Sequence, residues 1–228
     1  MVIRWYKIGR SSQMKKIALF QHHPECSIQC CNGVIRSLCT QYNIKIFTIN
    51  DNIDEVLNDV DGIIFPGGIG DSDSYHDFFS RTKANKIAAF LARGGRYIGI
   101  CMGAYWAGSR YFDLLDGLEA VQYIKRPNAD IKRSYGTVAD IEWLGEKHQM
   151  FFYDGCTFTG NGYCDTVAKY SNNEPMAIIQ NNIGLIGCHP ESEEFWYEDP
   201  YQYINRHWHN GKHHHLLLEF VNKMWRVG

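Results

Sequence analysis

The sequence has no excess of charge of either sign, since its 23 basic and 25 acidic side chains leave a net charge of −2. Without a basic surplus we expect no nucleic-acid partner and no attraction to an anionic membrane surface. The sequence also lacks an apolar run near the roughly 20 residues that cross a bilayer and a signal-peptide core at its start. Together these absences predict a globular, cytoplasmic protein.

A paired-thiol pattern is missing as well. None of the eight cysteines lies at CxxC spacing, which excludes a zinc ribbon, and disulfide frameworks are typical of shorter, secreted chains. The histidine-rich segment at 207–215 has no carboxylate or cysteine spaced to complete a defined metal site. We therefore predict reduced thiols, no metal and no cofactor.

Chain length favours one domain. Residues 1–13 are interpreted as an N-terminal extension, with Met14 as an alternative start, and residues 14–228 as a single domain. Over residues 16–112, short apolar runs alternate with segments of helical periodicity, which predicts a parallel sheet covered on both faces. The predicted elements are strands at 16–20, 44–49, 62–65 and 97–100, and helical segments at 28–42, 53–57 and 78–91.

The second half of the chain has a different pattern. β-like runs separated by turn-forming pairs such as Asp-Gly and Asn-Gly occur at 136–143, 150–153, 156–159, 166–170, 175–180 and 184–188. This pattern predicts antiparallel strands that extend the sheet or form a flap. An amphipathic helix is predicted for 214–225.

A G-x-C-x-G motif centred on Cys101 directly follows the predicted strand at 97–100 and precedes a helical stretch. A nucleophile on such a tight turn resembles a nucleophile elbow, in which flanking glycines remove side chains that would collide. The positive end of the following helix favours a thiolate, and the amide of Met102 is placed to donate to an oxyanion. A buried structural cysteine is the alternative interpretation.

The segment His189-Pro190-Glu191 follows the last predicted strand. In extended backbone the first and third residues project to the same side, so the Glu191 carboxylate can lie beside the His189 imidazole. A thiol nucleophile needs such an oriented base, although a surface turn would carry the same residues. A second copy, His23-Pro24-Glu25, has no comparable partner and is interpreted as loop.

A glycine-rich loop, Pro66-Gly67-Gly68-Ile69-Gly70, follows the strand at 62–65. At the carboxyl end of a strand in an open α/β sheet, such a loop lets backbone amides face a ligand, and it can supply a second oxyanion donor. It lacks the GK[ST] ending of a phosphate loop. A plain turn is the alternative.

In order and spacing these motifs resemble those of class I glutamine amidotransferase-like proteins. Within that superfamily the chain looks most like the N-terminal domain of biotin–protein ligases and its stand-alone relatives. The segments that carry the closer match are FPGG at Phe65–Gly68, GICMGAYWAG at Gly99–Gly108, FYDGCTF at Phe152–Phe158 and GCHPE at Gly187–Glu191. No biotin-binding glycine–arginine loop is present, so biotin ligase activity is not expected.

The resemblance implies a flavodoxin-like, three-layer α/β sandwich with a mainly parallel sheet and added antiparallel strands. It also implies that Cys101 is a nucleophile, His189 its base and Glu191 the group that orients the base. Gly68 and Met102 match the positions whose amides form an oxyanion hole. Gly67 and Tyr105 complete the predicted oxyanion and substrate-binding set.

One position departs from the glutamine-hydrolysing pattern. Such enzymes usually have Gln two residues after the second elbow glycine, and here that residue is Tyr105. The first hypothesis is a cysteine-dependent amidohydrolase or amidotransferase-like enzyme acting on a small carboxamide or peptide-like amide. The alternatives are a binding or regulatory module without turnover, and a glutaminase subunit that serves a separate synthetase.

Overall fold

A nine-stranded sheet organises residues 14–226, the part of the chain that the computed structural model describes. The predicted extension at 1–13 lies outside these residues. The strand order is β2-β1-β3-β4-β11-β10-β9-β6-β7. The first five of these run parallel to one another, and the other four add antiparallel pairs. The predicted fold class is therefore confirmed.

The strands of the main sheet are β1 (Lys15–Phe20), β2 (Tyr42–Phe47), β3 (Gly62–Phe65), β4 (Arg96–Ile100), β6 (Thr137–Trp143), β7 (Glu146–Phe152), β9 (Asp165–Tyr170), β10 (Pro175–Gln180) and β11 (Ile183–Ile186). A separate antiparallel pair consists of β5 (Leu118–Gln122) and β8 (Cys156–Gly160). The helices are α1 (Ile28–Leu38), α2 (Ile53–Asn58), α3 (Tyr75–Phe78), α4 (Arg81–Ala92), α5 (Met102–Trp106) and α6 (Lys212–Arg226). No helix among residues 14–226 is both long enough and apolar enough to cross a membrane.

Alternating side chains of the central strands build the two cores. In β1, Ile17 and Leu19 belong to a core covered by α1 and α6, whereas Ala18 and Phe20 point into a core covered by α2, α4 and α5. Successive strand residues face opposite sides of a sheet, and this strand is apolar on both. The result is a helix–sheet–helix sandwich.

Several elements differ from the sequence prediction, among them β7, which begins at Glu146 and not at residue 150. The helix predicted at 28–42 ends at Leu38, and Tyr42 already begins β2. The helix predicted at 78–91 is broken at Phe79, and Ser80 starts α4 by accepting a hydrogen bond from the Lys83 amide at 3.3 Å. The strand β5 was not predicted, because its five residues are all only half-buried and show no apolar alternation.

The half-buried His209 and the buried His213 form a cluster with the buried His148. The rings of His209 and His213 stack with centroids 3.9 Å apart, and the His148 ring is 5.9 Å from that of His213. Burial, reinforced by neighbouring histidines, lowers the pKa of His213 to about 2 and that of His209 to about 3. Lys212 and His214 also face His213 and lower its pKa. Both clustered side chains are therefore neutral in the folded protein.

We expect the free energy of unfolding to fall as the pH drops below about 6.5. His213 takes up a proton in the unfolded chain but stays neutral in the folded protein. Each such histidine lowers the free energy of unfolding by up to about 1.4 kcal/mol per pH unit. Urea unfolding between about pH 7 and pH 5 measures this slope. His213→Gln should flatten it, and His215→Gln, at an exposed position two residues away, should leave it as in the wild type. Equal slopes for the two variants would contradict the assignment.

Candidate active site

Three parallel neighbours, β3, β4 and β11, bring the sequence motifs to one edge of the sheet. Phe65 of β3 pairs with Gly99 of β4, and Ile100 of β4 pairs with Ile186 of β11. The glycine loop directly follows β3 and Cys101 directly follows β4, whereas His189 comes after β11 and two intervening residues. The residues after the strands therefore converge although they are far apart in sequence.

Cys101 occupies a strained turn between β4 and α5. Its backbone has φ 49° and ψ −99°, a left-handed region that non-glycine residues rarely adopt. The Cys101 amide donates to the Ile186 carbonyl at 2.8 Å, and its thiol donates to the Tyr153 carbonyl at 3.4 Å. Such strain is characteristic of functional turns.

His189 and Glu191 form a buried pair. The His189 Nδ1 and Glu191 Oε1 atoms are 2.8 Å apart, and the residues are only 2% and 0% exposed. Because Nδ1 is held by the carboxylate, Nε2 is the nitrogen left for another partner, and no hydrogen bond within residues 14–226 uses it. Burial lowers the pKa of His189, but the Glu191 carboxylate and the Cys101 thiol outweigh it and hold that pKa well above the ordinary value.

Gly67 separates the imidazole from the thiol-bearing turn. A Cβ atom at this glycine would lie 2.4 Å from His189 Cε1 and 3.3 Å from Cys101 Cβ. The His189 ring also makes edge-on contacts with Phe151 and Trp196, at centroid distances of 5.9 and 5.6 Å. The ring is therefore fixed in place, and only glycine fits between it and Cys101.

A cleft of about 390 Å³ opens beside Cys101. Three residues of the predicted oxyanion and substrate-binding set, Gly68, Met102 and Tyr105, line it. Neither the Gly68 amide nor the Met102 amide donates to a turn, loop or side-chain acceptor among residues 14–226. Both predicted oxyanion donors are thus available at the wall of the cleft, whereas Gly67 contacts His189 instead.

Tyr105 shapes the opposite wall of the cleft. Its hydroxyl donates to the Asp154 carbonyl at 2.9 Å and so anchors the loop whose Tyr153 carbonyl contacts Cys101. The Asp154 carboxylate accepts from the Gln122 amide at 3.0 Å, and burial raises its pKa. Tyr105 therefore has a positioning contact in addition to its place in the cleft wall.

Comparisons with known proteins give both a family match and relatives. A family model for the N-terminal part of biotin–protein ligase matches residues 19–121. CTP synthases from three Clostridium perfringens strains, among them strain 13, are 26% identical over 182 residues, which cover 68% of this chain. The chain spans 32% of the length of these relatives.

Solved structures are similar over nearly the whole chain. A glutamine amidotransferase from Thermotoga maritima has a TM-score of 0.64 at 11% identity, covering 94% of this chain and 97% of that one. Another, from Methylobacillus flagellatus, has a TM-score of 0.57 at 15% identity, covering 93% and 94%. The chain has the class I glutamine amidotransferase-like fold. The resemblance predicted from the motifs, including that to the biotin–protein ligase domain, is confirmed.

The same amidotransferase-like fold also occurs beside other chemistry. The α-L-fucosidase isoenzyme 2 from Paenibacillus thiaminolyticus is similar to this chain at a TM-score of 0.60 and 13% identity. The match covers 94% of this chain and 34% of the fucosidase chain. Fold alone therefore does not determine the reaction, and the function must be inferred from the site.

Sequence analysis missed Cys30, a second thiol beside His189. Ligand atoms of Cys30, His189 and Glu191 all lie within 4.8 Å of one another. Helix α1 can approach this closely because of Gly33, where a Cβ would stand 2.0 Å from the Glu191 carbonyl. Burial raises the Cys30 pKa to about 11, so the thiol is protonated at neutral pH. The sequence signal that could have placed Cys30 near the site was its position at the start of α1, which follows β1 at the same edge of the sheet as the three motifs.

The segment His23-Pro24-Glu25 forms a loop, as predicted, but this loop lies at the site. A Cβ at Gly68 would be 2.1 Å from both the Pro24 and the Glu25 carbonyl oxygens. The Glu25 carboxylate bonds the His22 ring at 2.9 Å. The backbone of this loop therefore packs directly against Gly68 of the glycine-rich loop, a contact that its sequence did not indicate.

Proposed function

We propose that this protein is a cysteine-dependent amidohydrolase or amidotransferase-like enzyme that acts on a small carboxamide or peptide-like amide. The observation that carries the proposal is the buried His189–Glu191 pair, in which Nδ1 and Oε1 are 2.8 Å apart. His189 Nε2 has no hydrogen-bond partner among residues 14–226, and the Cys101 thiol contributes to the raised pKa of His189. An oriented imidazole beside a thiol on a strained turn is the arrangement needed for nucleophilic catalysis.

In the proposed reaction the Cys101 proton passes to His189, and the sulfur attacks the amide carbonyl. The raised pKa of His189 favours this ion pair. The negative charge on the carbonyl oxygen is stabilised by the amides of Gly68 and Met102. His189 returns its proton to the leaving nitrogen as the C–N bond breaks, which leaves a thioester on Cys101. Water, deprotonated by the same imidazole, then releases the acid and restores the thiol.

The polar groups of the cleft suggest the kind of amide. Its wall includes the carboxylates of Asp71 and Asp154 and no lysine, arginine or histidine side chain. Acceptor groups of this kind recognise ammonium or N–H donors and repel a carboxylate. A primary amide with a free amine is therefore the favoured substrate class.

The test is exposure of the intact protein to an amide-directed electrophile, followed by peptide mass mapping. We expect the fastest labelling at Cys101, because it is the thiol that lines the cleft, whereas Cys39 is exposed but outside the cleft and most of the other thiols are buried. In parallel, amides with free and with acetylated amines are assayed for hydrolysis, and the free-amine series should react faster. Labelling that favours the exposed Cys39 over Cys101 would count against the proposal.

A glutaminase that serves a separate synthetase is a second candidate. The similarity to CTP synthases favours it, whereas Tyr105, at the position of the usual glutamine, does not. Co-purification of a synthetase and release of ammonia from glutamine would distinguish it.

The third candidate is a module that binds without turnover, favoured by the bond between the Cys101 thiol and the Tyr153 carbonyl. Ligand binding without hydrolysis across the amide panel would support that alternative.

A further inference from the structure

A second thiol, an imidazole and a carboxylate meet behind the cleft. One ligand atom each from Cys30, His189 and Glu191 lies within 4.8 Å of the others, and all three residues are buried. Within residues 14–226, the buried Glu191 Oε2 atom has no hydrogen-bond partner. Buried polar atoms without partners are costly unless a ligand completes them.

This cluster has its own opening. A cavity of about 200 Å³ is lined by Cys30 and His189 and bordered by aromatic side chains, among them Phe151 and Trp196. Cys101 is not in its wall, whereas it is in the wall of the larger cleft. His189 lines this small cavity and not the cleft beside Cys101, so an ion can reach the imidazole without entering that cleft.

We propose that Cys30, His189 and Glu191 bind a single Zn²⁺ ion reversibly and that the bound ion blocks the active site. A thiolate, an imidazole and a carboxylate are all ordinary zinc ligands, and the thiolate disfavours Mg²⁺ and Ca²⁺. With bond lengths of about 2.0–2.3 Å, tetrahedral ligand atoms lie roughly 3.3–3.8 Å apart. Small rotations of side chains already within 4.8 Å of one another satisfy this geometry.

Binding forms an S–Zn bond as the Cys30 proton leaves to solvent. Glu191 lies beside His189 Nδ1, so the shared ion takes that nitrogen. The neutral imidazole then carries its hydrogen on Nε2 and cannot accept the Cys101 proton there, so the ion acts as an inhibitor and not as a cofactor. This inhibitory consequence rests on the proposed function; the binding itself does not.

Cobalt substitution tests the binding independently of any enzymatic activity. Co²⁺ added to the full chain should give one-to-one binding with a thiolate-to-cobalt absorption band, and Zn²⁺ should abolish the band by displacement. Cys101→Ala should keep the band, because Cys30 supplies the sulfur. Cys30→Ser should lose it and weaken Zn²⁺ binding at least about tenfold, while Cys39→Ser, which changes an exposed thiol at the end of the same helix, should bind as the wild type.

The wild-type and Cys101→Ala spectra keep the proposal testable even if Cys30→Ser fails to fold. Absence of a thiolate band in the wild type, its loss in Cys101→Ala, or unchanged binding by folded Cys30→Ser would each overturn it. In a second step, Zn²⁺ should slow electrophile labelling of Cys101 in the wild type but not in Cys30→Ser. If binding is found without this protection, the zinc site stands and its inhibitory role is rejected.

Discussion

His189→Gln should slow covalent labelling of Cys101 by about 10²- to 10⁴-fold, the contribution of a positioned proton acceptor. In the proposed mechanism the Glu191 carboxylate, bonded to Nδ1 at 2.8 Å, stabilises the protonated imidazole that forms when the Cys101 thiol gives up its proton. Glutamine keeps a hydrogen-bonding side chain of similar length, but it cannot take up the proton. The labelling rate, measured by mass spectrometry at a series of reagent concentrations, gives the effect directly.

Two further variants complete this experiment. Cys101→Ala should reduce labelling at this position to zero, and Cys39→Ala should leave the Cys101 rate unchanged because Cys39 lies exposed at the end of α1. Circular dichroism shows whether each variant is folded. A folded His189→Gln protein that is labelled at the wild-type rate would exclude His189 as the base.

The parallel half of the sheet was predictable because its strands are apolar on both faces. The predicted strand at 62–65 agrees with β3 at both ends, since Asp61 and Pro66 bound a continuous apolar run. The expected convergence of Cys101 and His189 followed from one assumption, that both come shortly after neighbouring parallel strands. The adjacency of β4 and β11 satisfies that assumption.

The parts that sequence analysis missed depend on packing between distant segments. Cys30 carries no local signal, because its place beside His189 results from the close contact of Gly33 with the Glu191 backbone. The strand β5 is defined only by its pairing with β8. The break at Phe79 depends on a cap at Ser80 that lies inside a continuous helical pattern. Tertiary contacts decide these features, and one-dimensional periodicity does not record them.

Gly67→Ala should reduce Cys101 labelling by about 10²-fold or more, the cost expected when a reacting group is displaced by about 1 Å. The new methyl group would stand 2.4 Å from His189 Cε1, closer than carbon atoms can approach. The ring cannot simply retreat, because Phe151 and Trp196 contact it and Glu191 holds Nδ1. The imidazole must therefore turn away from the thiol.

Gly108→Ala is the matched control for this substitution. Its added Cβ would meet the Glu119 carboxylate oxygen at 2.3 Å, but this is the end of a flexible side chain outside the cleft. We expect near-normal labelling for Gly108→Ala and a strong loss for Gly67→Ala, with both proteins folded by circular dichroism. Equal labelling of the two would show that the contact between Gly67 and His189 does not set the position of the base. Because Phe151, Trp196 and Glu191 hold the ring on its other sides, the space left by the missing Gly67 side chain is what lets the imidazole stay beside the Cys101 turn.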